Sequence, residues 1–161
     1  RQHPELQLVI VGDGKPVMER LTALREELGI AAQVHLLGYR LGACRLMTAF
    51  DVFALATHKE AAGTVFLEAA YVGVPIVATR VGGVPEMLVE GSNALLAPLG
   101  DPAALTDALR ALVEDPERRR QMGRAGWDWM RSAHRFTPTG HTEATEYYYH
   151  QWLKELGHGQ R

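Results

Sequence analysis

Short apolar runs are separated by longer mixed stretches along residues 6–97 of the chain. The runs are short enough for buried strands, and they predict strands at Leu6–Val11, Val34–Leu37, Val52–Ala56, Ile76–Thr79 and Ala94–Ala97. The stretches between them predict helices near Val17–Leu28, Gly42–Ala49, Thr64–Val72 and Val84–Val89. Strands and helices that alternate at this spacing are typical of a mostly parallel sheet with right-handed crossovers. The pattern therefore predicts the α/β class.

Helices alone are predicted after Pro98. Asp101 and Pro102 form an N-cap followed by a first-turn proline, which predicts a helix from there to Glu114. Further helices are predicted from Pro116 to about Arg131 and from about Thr142 to Leu156. A sheet domain followed by C-terminal helices is the expected architecture.

One carboxylate lies inside the most apolar stretch of the chain. Between Ala61 and Thr79 the only ionisable side chain besides Tyr71 is Glu68. Burying a carboxylate is costly unless another group hydrogen-bonds to it or pairs with it. The simplest hypothesis is that Glu68 binds a polar ligand.

The order of elements around Gly63 predicts an anion site. A strand, a loop, Gly63 and a helix follow one another, which places free backbone N–H groups of a helix N-terminus at the carboxyl edge of a sheet. Gly63 lacks a Cβ, so a phosphate could approach the backbone closely. Glu60 lies in the loop and Glu68 in the second helical turn. This arrangement suits a ligand with central phosphates and hydroxyl groups at both ends.

Composition excludes several classes of protein. The chain has 161 residues, 47% hydrophobic and 22% charged, as expected of one soluble globular domain. Its formal net charge of -2 argues against a nucleic-acid binder. A single cysteine, Cys44, fits a reducing compartment. The histidines are not spaced as metal ligands, so no metal is expected, and no other cofactor is expected either. Without a signal peptide or membrane-spanning run, the expected location is cytoplasmic.

The same residues resemble a known family. The spacing Glu60-x7-Glu68, with Gly63 inside it, is similar to the motif of retaining GT-B glycosyltransferases of family 4 (glycosyltransferase group 1). Other segments occur in the order which that family would give them: Val9-Ile-Val-Gly12-Asp-Gly14, Val34-His-Leu-Leu-Gly38-Tyr39, Phe50-Asp51-Val52, Gly73-Val-Pro75 and Gly82-Gly83-Val-Pro85-Glu86. The variant Glu60-Ala-Ala-Gly63 is similar to that of lipopolysaccharide-core glucosyltransferases.

The resemblance implies roles for particular residues. Glu60, as the catalytic residue, would contact hydroxyls of the donor sugar. The backbone around Gly63, Thr64 and Val65 would hold the diphosphate, and Glu68 would hydrogen-bond to the ribose. The loops containing Gly14 and Tyr39 would also contact the donor, with the nucleobase near Tyr39.

The resemblance also implies a missing part. Residues 1–135 resemble a Rossmann-like nucleotide-sugar-binding domain without its first strand and helix, and residues 136–161 a helix that would pack toward an absent N-terminal, acceptor-binding domain. The absent strand would be central, between Leu6–Val11 and Val52–Ala56. Direct pairing of those two strands or a strand-exchanged dimer is expected in preference to an open gap, because unpaired apolar edges invite association. Belonging to a larger assembly is the third arrangement left open.

Several other features have ordinary explanations. Gly12-Asp13-Gly14 is sufficient for a tight turn, with Asp13 as turn former. Arg40 and His58 are by default surface residues. The arginine-rich residues 110–135 predict a solvated helix face, with peripheral contact to an anionic membrane as the sharper hypothesis. The aromatic residues Tyr147, Tyr148, Tyr149 and Trp152 predict packing on the last helix.

The function hypothesis is therefore a retaining glycosyltransferase, of which this chain is the donor-binding part. The donor would be a nucleotide sugar, expected to be a UDP-sugar, and the acceptor a glycan or a lipid-linked molecule. Two alternatives remain open: a GT-B-fold sugar-nucleotide epimerase, and a non-catalytic nucleotide-binding or interaction module.

Overall fold

The computed structural model describes residues 3–132. The chain divides into two compact units, Arg1–Leu46 and Met47–Arg161, which we describe separately. The sequence analysis did not predict a division at this point. The predicted helix at Thr142–Leu156 and the aromatic residues on it lie outside the described residues.

The first unit is a two-stranded parallel sheet with one long helix. Strand β1 (Leu8–Ile10) leads into α1 (Lys15–Glu27), and a short 3-10 helix precedes β2 (Val34–Leu36). The strands pair in parallel with Leu8 opposite Val34. Their following loops are joined because the Gly12 N–H donates to the Gly38 carbonyl at 3.0 Å. Both loops therefore lie at the carboxyl edge of this sheet.

The second unit is a three-stranded parallel sheet in the order β3-β4-β5. It comprises β3 (Phe53–Leu55), α2 (Thr64–Tyr71), β4 (Ile76–Thr79), α3 (Val84–Met87), β5 (Ala94–Ala97), α4 (Pro102–Val113) and α5 (Pro116–Ser132). Asp101 caps α4 as predicted, since its carboxylate accepts a hydrogen bond from the Ala104 N–H at 2.9 Å. The segment Gly42–Ala49, predicted as a helix, is a 3-10 helix at Ala43–Ala49.

Strand β4 separates two apolar layers of the second unit. All four of its residues are buried. Ile76 and Ala78 pack with Phe66 of α2 on one side, and Val77 packs with Leu112 of α4 on the other. Successive side chains of a strand point to opposite faces, so this short run is apolar throughout because both of its faces are covered. The α/β prediction is confirmed.

Strand β3 differs from its prediction as a buried strand. Phe53 and Leu55 are only half-buried and Ala54 is exposed. The reason is topological: β3 is an edge strand that pairs only with β4. The expected direct pairing of the strands at Leu6–Val11 and Val52–Ala56 is also wrong for the described residues, because β1 and β3 belong to separate sheets.

Helices α2 and α5 approach closely through a pair of glycines. A Cβ on Gly123 would lie 2.0 Å from the carbonyl oxygen of Gly73, which directly follows α2. Gly126, one turn further along α5, has room for a Cβ at 3.5 Å from its nearest neighbour. Close backbone contact therefore requires glycine at position 123 but not at position 126.

Among residues 3–132, no helix is long and apolar enough to cross a membrane.

We expect Gly123→Ala to lower the free energy of unfolding by about 1–3 kcal/mol, the usual cost of overpacking. Gly126→Ala is the matched control and should be neutral or stabilising by up to about 1 kcal/mol, because alanine is the better helix former. Urea unfolding of both variants measures the difference. Equal midpoints for the two would contradict the inferred contact.

Candidate functional site

The loop between β3 and α2 presents unpaired donors at a helix N-terminus. Gly63 is the N-cap of α2, with φ 40° and ψ 54°, a left-handed conformation that favours glycine. Among the described residues, the N–H groups of Thr64 and Val65 donate to no other group. Free N–H groups at the start of a helix attract anions. The three predicted phosphate-binding residues are thus together.

Packing supplies a second reason for Gly63. A Cβ at this position would lie 2.5 Å from the ring of Phe66, which is fully buried. The sequence interpretation was that the missing Cβ lets a phosphate approach. The structure adds two further reasons for the absence of a Cβ: the left-handed backbone conformation and the packing of Phe66 beneath the loop.

Glu60 already contacts this helix N-terminus. Its Oε1 accepts a hydrogen bond from the Gly63 N–H at 2.8 Å, and the side chain is half-buried. A carboxylate at this point is favoured by the exposed N–H groups and by the helix dipole. Glu60 therefore lies beside the two free N–H groups of Thr64 and Val65.

Glu68 corrects the argument made from the sequence. Its side chain is exposed, whereas its neighbours Phe66, Ala69 and Ala70 are buried. No burial cost therefore has to be offset by a ligand. Glu68 follows Thr64 by four residues, so both lie on one face of α2, about 6 Å apart along the helix axis. Its carboxylate has no partner among the described residues.

The turn after β4 contacts the backbone of the loop between β3 and α2. The Gly83 N–H donates to the Glu60 carbonyl at 3.1 Å, and the Thr79 hydroxyl donates to the Thr57 carbonyl. Gly82 and Gly83 both lie in this turn. The structure shows that they approach the backbone of the loop carrying Glu60. Thr79 was missed, and nothing in its local sequence distinguishes it from a strand residue.

Two predicted donor contacts, Gly14 and Tyr39, belong to the first unit. They lie on the joined loops that follow β1 and β2. The Gly14 N–H donates to the Asp13 carboxylate at 2.7 Å, in keeping with Asp13 as a turn former. Tyr39 is 73% exposed. Glu60, Gly63, Thr64, Val65 and Glu68 all belong to the second unit.

Several arginines of the arginine-rich stretch have partners within the second unit. Arg119 donates to the carbonyls of Leu112 and Val113 at the end of α4, and Arg120 pairs with Glu117 at 2.6 Å. The hydrogen bond from Arg120 holds the pKa of the Glu117 carboxyl below its ordinary value. Arg131 stacks on Trp127 at 4.5 Å. These contacts agree with a solvated helix face.

Two surface depressions of the second unit lie elsewhere. The larger, of about 550 Å³, is lined by residues of α5 and of the turn before β5, and the smaller, of about 190 Å³, by residues near Gly73 and Pro116. Neither is lined by residues 60–68. We place the candidate site at the β3–α2 loop because the unpaired N–H donors of Thr64 and Val65 lie there beside Glu60. Within residues 3–132, no group of three or more His, Cys, Asp or Glu side chains could hold a metal ion.

The parallel sheets, with a glycine-led helix N-terminus at a carboxyl edge, define an open α/β domain with anion-binding geometry. The chain belongs to the glycosyl transferases group 1 family, which it matches over residues 1–129, and its fold is that of GT-B enzymes. The resemblance inferred from the motifs is thereby confirmed.

Two curated relatives and one solved structure illustrate the similarity. The chain is 38% identical over 149 residues to a D-inositol 3-phosphate glycosyltransferase of Corynebacterium jeikeium, covering 82% of this chain and 35% of the relative. It is 33% identical over 137 residues to the lipopolysaccharide core biosynthesis glycosyltransferase LpsD of Rhizobium meliloti, covering 85% and 39%. Anabaena HepE in complex with UDP-glucose superposes with a TM-score of 0.74 at 26% identity, covering 79% and 36%. The chain thus spans little more than a third of these proteins.

The contact between Glu60 and Gly63 predicts unequal effects on stability for the two acids. Glu60→Ala should lower the free energy of unfolding by about 0.5–1.5 kcal/mol, since it removes the hydrogen bond from the Gly63 N–H. Glu68→Ala, on the exposed face, should change it by less than about 0.5 kcal/mol. Thermal or urea unfolding of both variants checks this. Equal free energies of unfolding for the two variants would show that the hydrogen bond between Glu60 and Gly63 adds no stability.

Proposed function

We propose that this chain is the nucleotide-sugar-binding part of a retaining glycosyltransferase. The observation that carries the proposal is the pair of unpaired N–H groups, on Thr64 and Val65, set between Glu60 and Glu68 in a chain of the group 1 family. The proposed donor is a UDP-sugar. Its support is the 26% identity and shared fold with HepE, whose structure holds UDP-glucose.

The donor would lie along the N-terminal end of α2. Its phosphate oxygens would accept hydrogen bonds from the N–H groups of Thr64 and Val65. Glu68, one turn along the same face, would accept hydrogen bonds from the ribose hydroxyls. Glu60, on the loop side, is the proposed hydrogen-bond acceptor for hydroxyls of the sugar and the proposed catalytic residue. Gly14 and Tyr39 are proposed to contact the donor from the loops of the first unit.

The proposed reaction breaks the bond between the anomeric carbon of the sugar and the diphosphate oxygen. An acceptor hydroxyl forms the new bond on the same face of the sugar, and its proton passes to the departing phosphate. Charge grows on that phosphate as the bond breaks, so fixed N–H donors beside it stabilise the transition state more than the ground state. The proposed acceptor, a glycan or a lipid-linked molecule, would bind outside this chain.

Replacing Glu68 tests the position of the nucleotide. Glu68→Gln removes the charge and keeps the shape, and it should weaken UDP binding by about 1–3 kcal/mol, the range for a hydrogen bond to a charged group. Glu27→Gln, at the C-terminal end of α1, makes the same change in net charge and should leave binding unaltered. Calorimetric titration measures both. Unchanged affinity in a folded Glu68→Gln variant would refute the ribose contact.

The same titration tests one of the alternatives, the non-catalytic interaction module. A donor-binding domain binds UDP or GDP, whereas a non-catalytic interaction module binds neither. Titrating both nucleotides with the unaltered chain therefore decides between the two classes, and also between the two bases.

A second prediction concerns turnover. The chain of residues 1–161 alone should transfer no sugar to any acceptor, because it spans little more than a third of its relatives and the acceptor would be neither bound nor oriented. An assay with radiolabelled UDP-glucose and rigorously purified chain checks this. Reproducible transfer above the rate of a Glu60→Ala variant would contradict it.

A further inference from the structure

The turn after β4 meets the loop of Glu60 backbone to backbone. A Cβ on Gly82 would lie 2.0 Å from the Glu60 carbonyl oxygen, and one on Gly83 would lie 2.2 Å from that of Ala61. Both obstructing atoms belong to the main chain, so neither can move aside by a change of rotamer. A side chain at either position would therefore displace the loop.

A second tie holds the loop nearer its start. The hydroxyl of Thr79, at the end of β4, donates to the Thr57 carbonyl. Thr79 is buried, with 6% of its surface exposed. The Thr57 hydroxyl in turn donates to the Lys59 carbonyl at 2.9 Å, which folds the chain just before Glu60. The loop is thus held by β4 and its turn at two separate points.

Glu60 is the side chain of the site that depends most on this support. Glu68 is fixed by a helix, whereas Glu60 lies on a loop, and sites on loops are positioned less accurately than sites on helices. A hydrogen bond tolerates only a few tenths of an ångström in donor–acceptor distance. A loop shifted by about 1 Å would therefore lose the contact between Glu60 and a ligand hydroxyl.

We propose that Thr79, Gly82 and Gly83 are positioning residues that set the Glu60 carboxylate for the donor sugar. This inference rests on the proposed function, but the three residues would touch no part of the donor. Their effect passes through the Glu60 backbone. The consequence is specific: they determine how much the sugar adds to the affinity of the nucleoside diphosphate, and they leave the diphosphate contacts of Thr64 and Val65 unchanged.

The first experiment needs no ligand. The amide chemical shift of Gly63, measured by NMR on the full chain, reports its hydrogen bond to Glu60, and Glu60→Ala supplies the shift of the uncontacted amide. Gly82→Ala and Thr79→Val should both move the Gly63 shift toward that value. Thr79→Ser keeps the hydroxyl and should match the wild type.

Gly100→Ala is the matched control for the glycine variant. Gly82 and Gly100 both have positive φ, 50° and 78°, but nothing lies within 4 Å of a Cβ on Gly100. The control therefore carries the same kind of backbone strain without the obstruction. It should leave the Gly63 shift in place. If Gly82→Ala does not fold, the pair Thr79→Val and Thr79→Ser decides the matter.

The second experiment compares affinities for UDP and UDP-glucose by calorimetry, with GDP and GDP-mannose used instead if the wild type prefers guanosine. In Gly82→Ala and Thr79→Val, the ratio of the affinity for UDP-glucose to the affinity for UDP should fall about tenfold. A tenfold change corresponds to the loss of one hydrogen bond to a charged group. UDP affinity should stay within about twofold, since its donors are on α2.

The outcomes separate the two claims. A wild-type chain that binds none of the four nucleotides overturns the proposed function, and the Gly63 shift still tests the positioning. Nucleotide binding with an unmoved Gly63 shift in Gly82→Ala and Thr79→Val overturns the positioning alone. An equal loss of UDP and UDP-glucose affinity also overturns it, because the three residues would then support the fold in general.

Discussion

The second unit depends on the complete burial of β4. A strand buried on both faces must satisfy its backbone groups through its neighbours, and β4 pairs in parallel with β3 on one side and β5 on the other. Its register, Phe53 with Ile76 and Ile76 with Ala94, aligns the carboxyl ends of the three strands. The loop before α2 and the turn before α3 leave the sheet at this edge, so the candidate site is a consequence of the pairing of β4.

At two positions in the second unit, main-chain segments contact each other directly, with no side chain between them. Gly123 meets the carbonyl of Gly73, and Gly82 meets that of Glu60. Each contact brings two main-chain segments nearer than any side chain would allow. The first seats α2 against α5, and the second seats the Glu60 loop on the turn after β4. The helix N-terminus and the acid beside it are therefore held by separate parts of the unit.

The site combines a rigid helix with a supported loop. Phe66, packed beneath Gly63 in the core, fixes the first turn of α2 and with it the directions of the Thr64 and Val65 N–H groups. Glu60 accepts a hydrogen bond from the Gly63 N–H, so its carboxylate is also stabilised by the N-terminal end of α2. A bound anion would be attracted to the same N-terminal end of α2 as the Glu60 carboxylate. The position of Glu60 therefore influences which ligands this helix end can bind.

The sequence by itself determined the α/β class, the positions of the five α-helices among the described residues and the family, because apolar periodicity and the ordered motifs are local properties of the chain. It also identified Gly63, Thr64 and Val65 as the residues of a helix N-terminus. Only the tertiary structure decided that Glu68 is exposed, that β3 is an edge strand and that β1 and β3 lie in separate sheets, since burial and pairing depend on neighbours remote in sequence. The same holds for Thr79, Gly82 and Gly83. Their partners, Thr57, Glu60 and Ala61, become adjacent only when β3 pairs with β4, and no spacing along the chain records that contact.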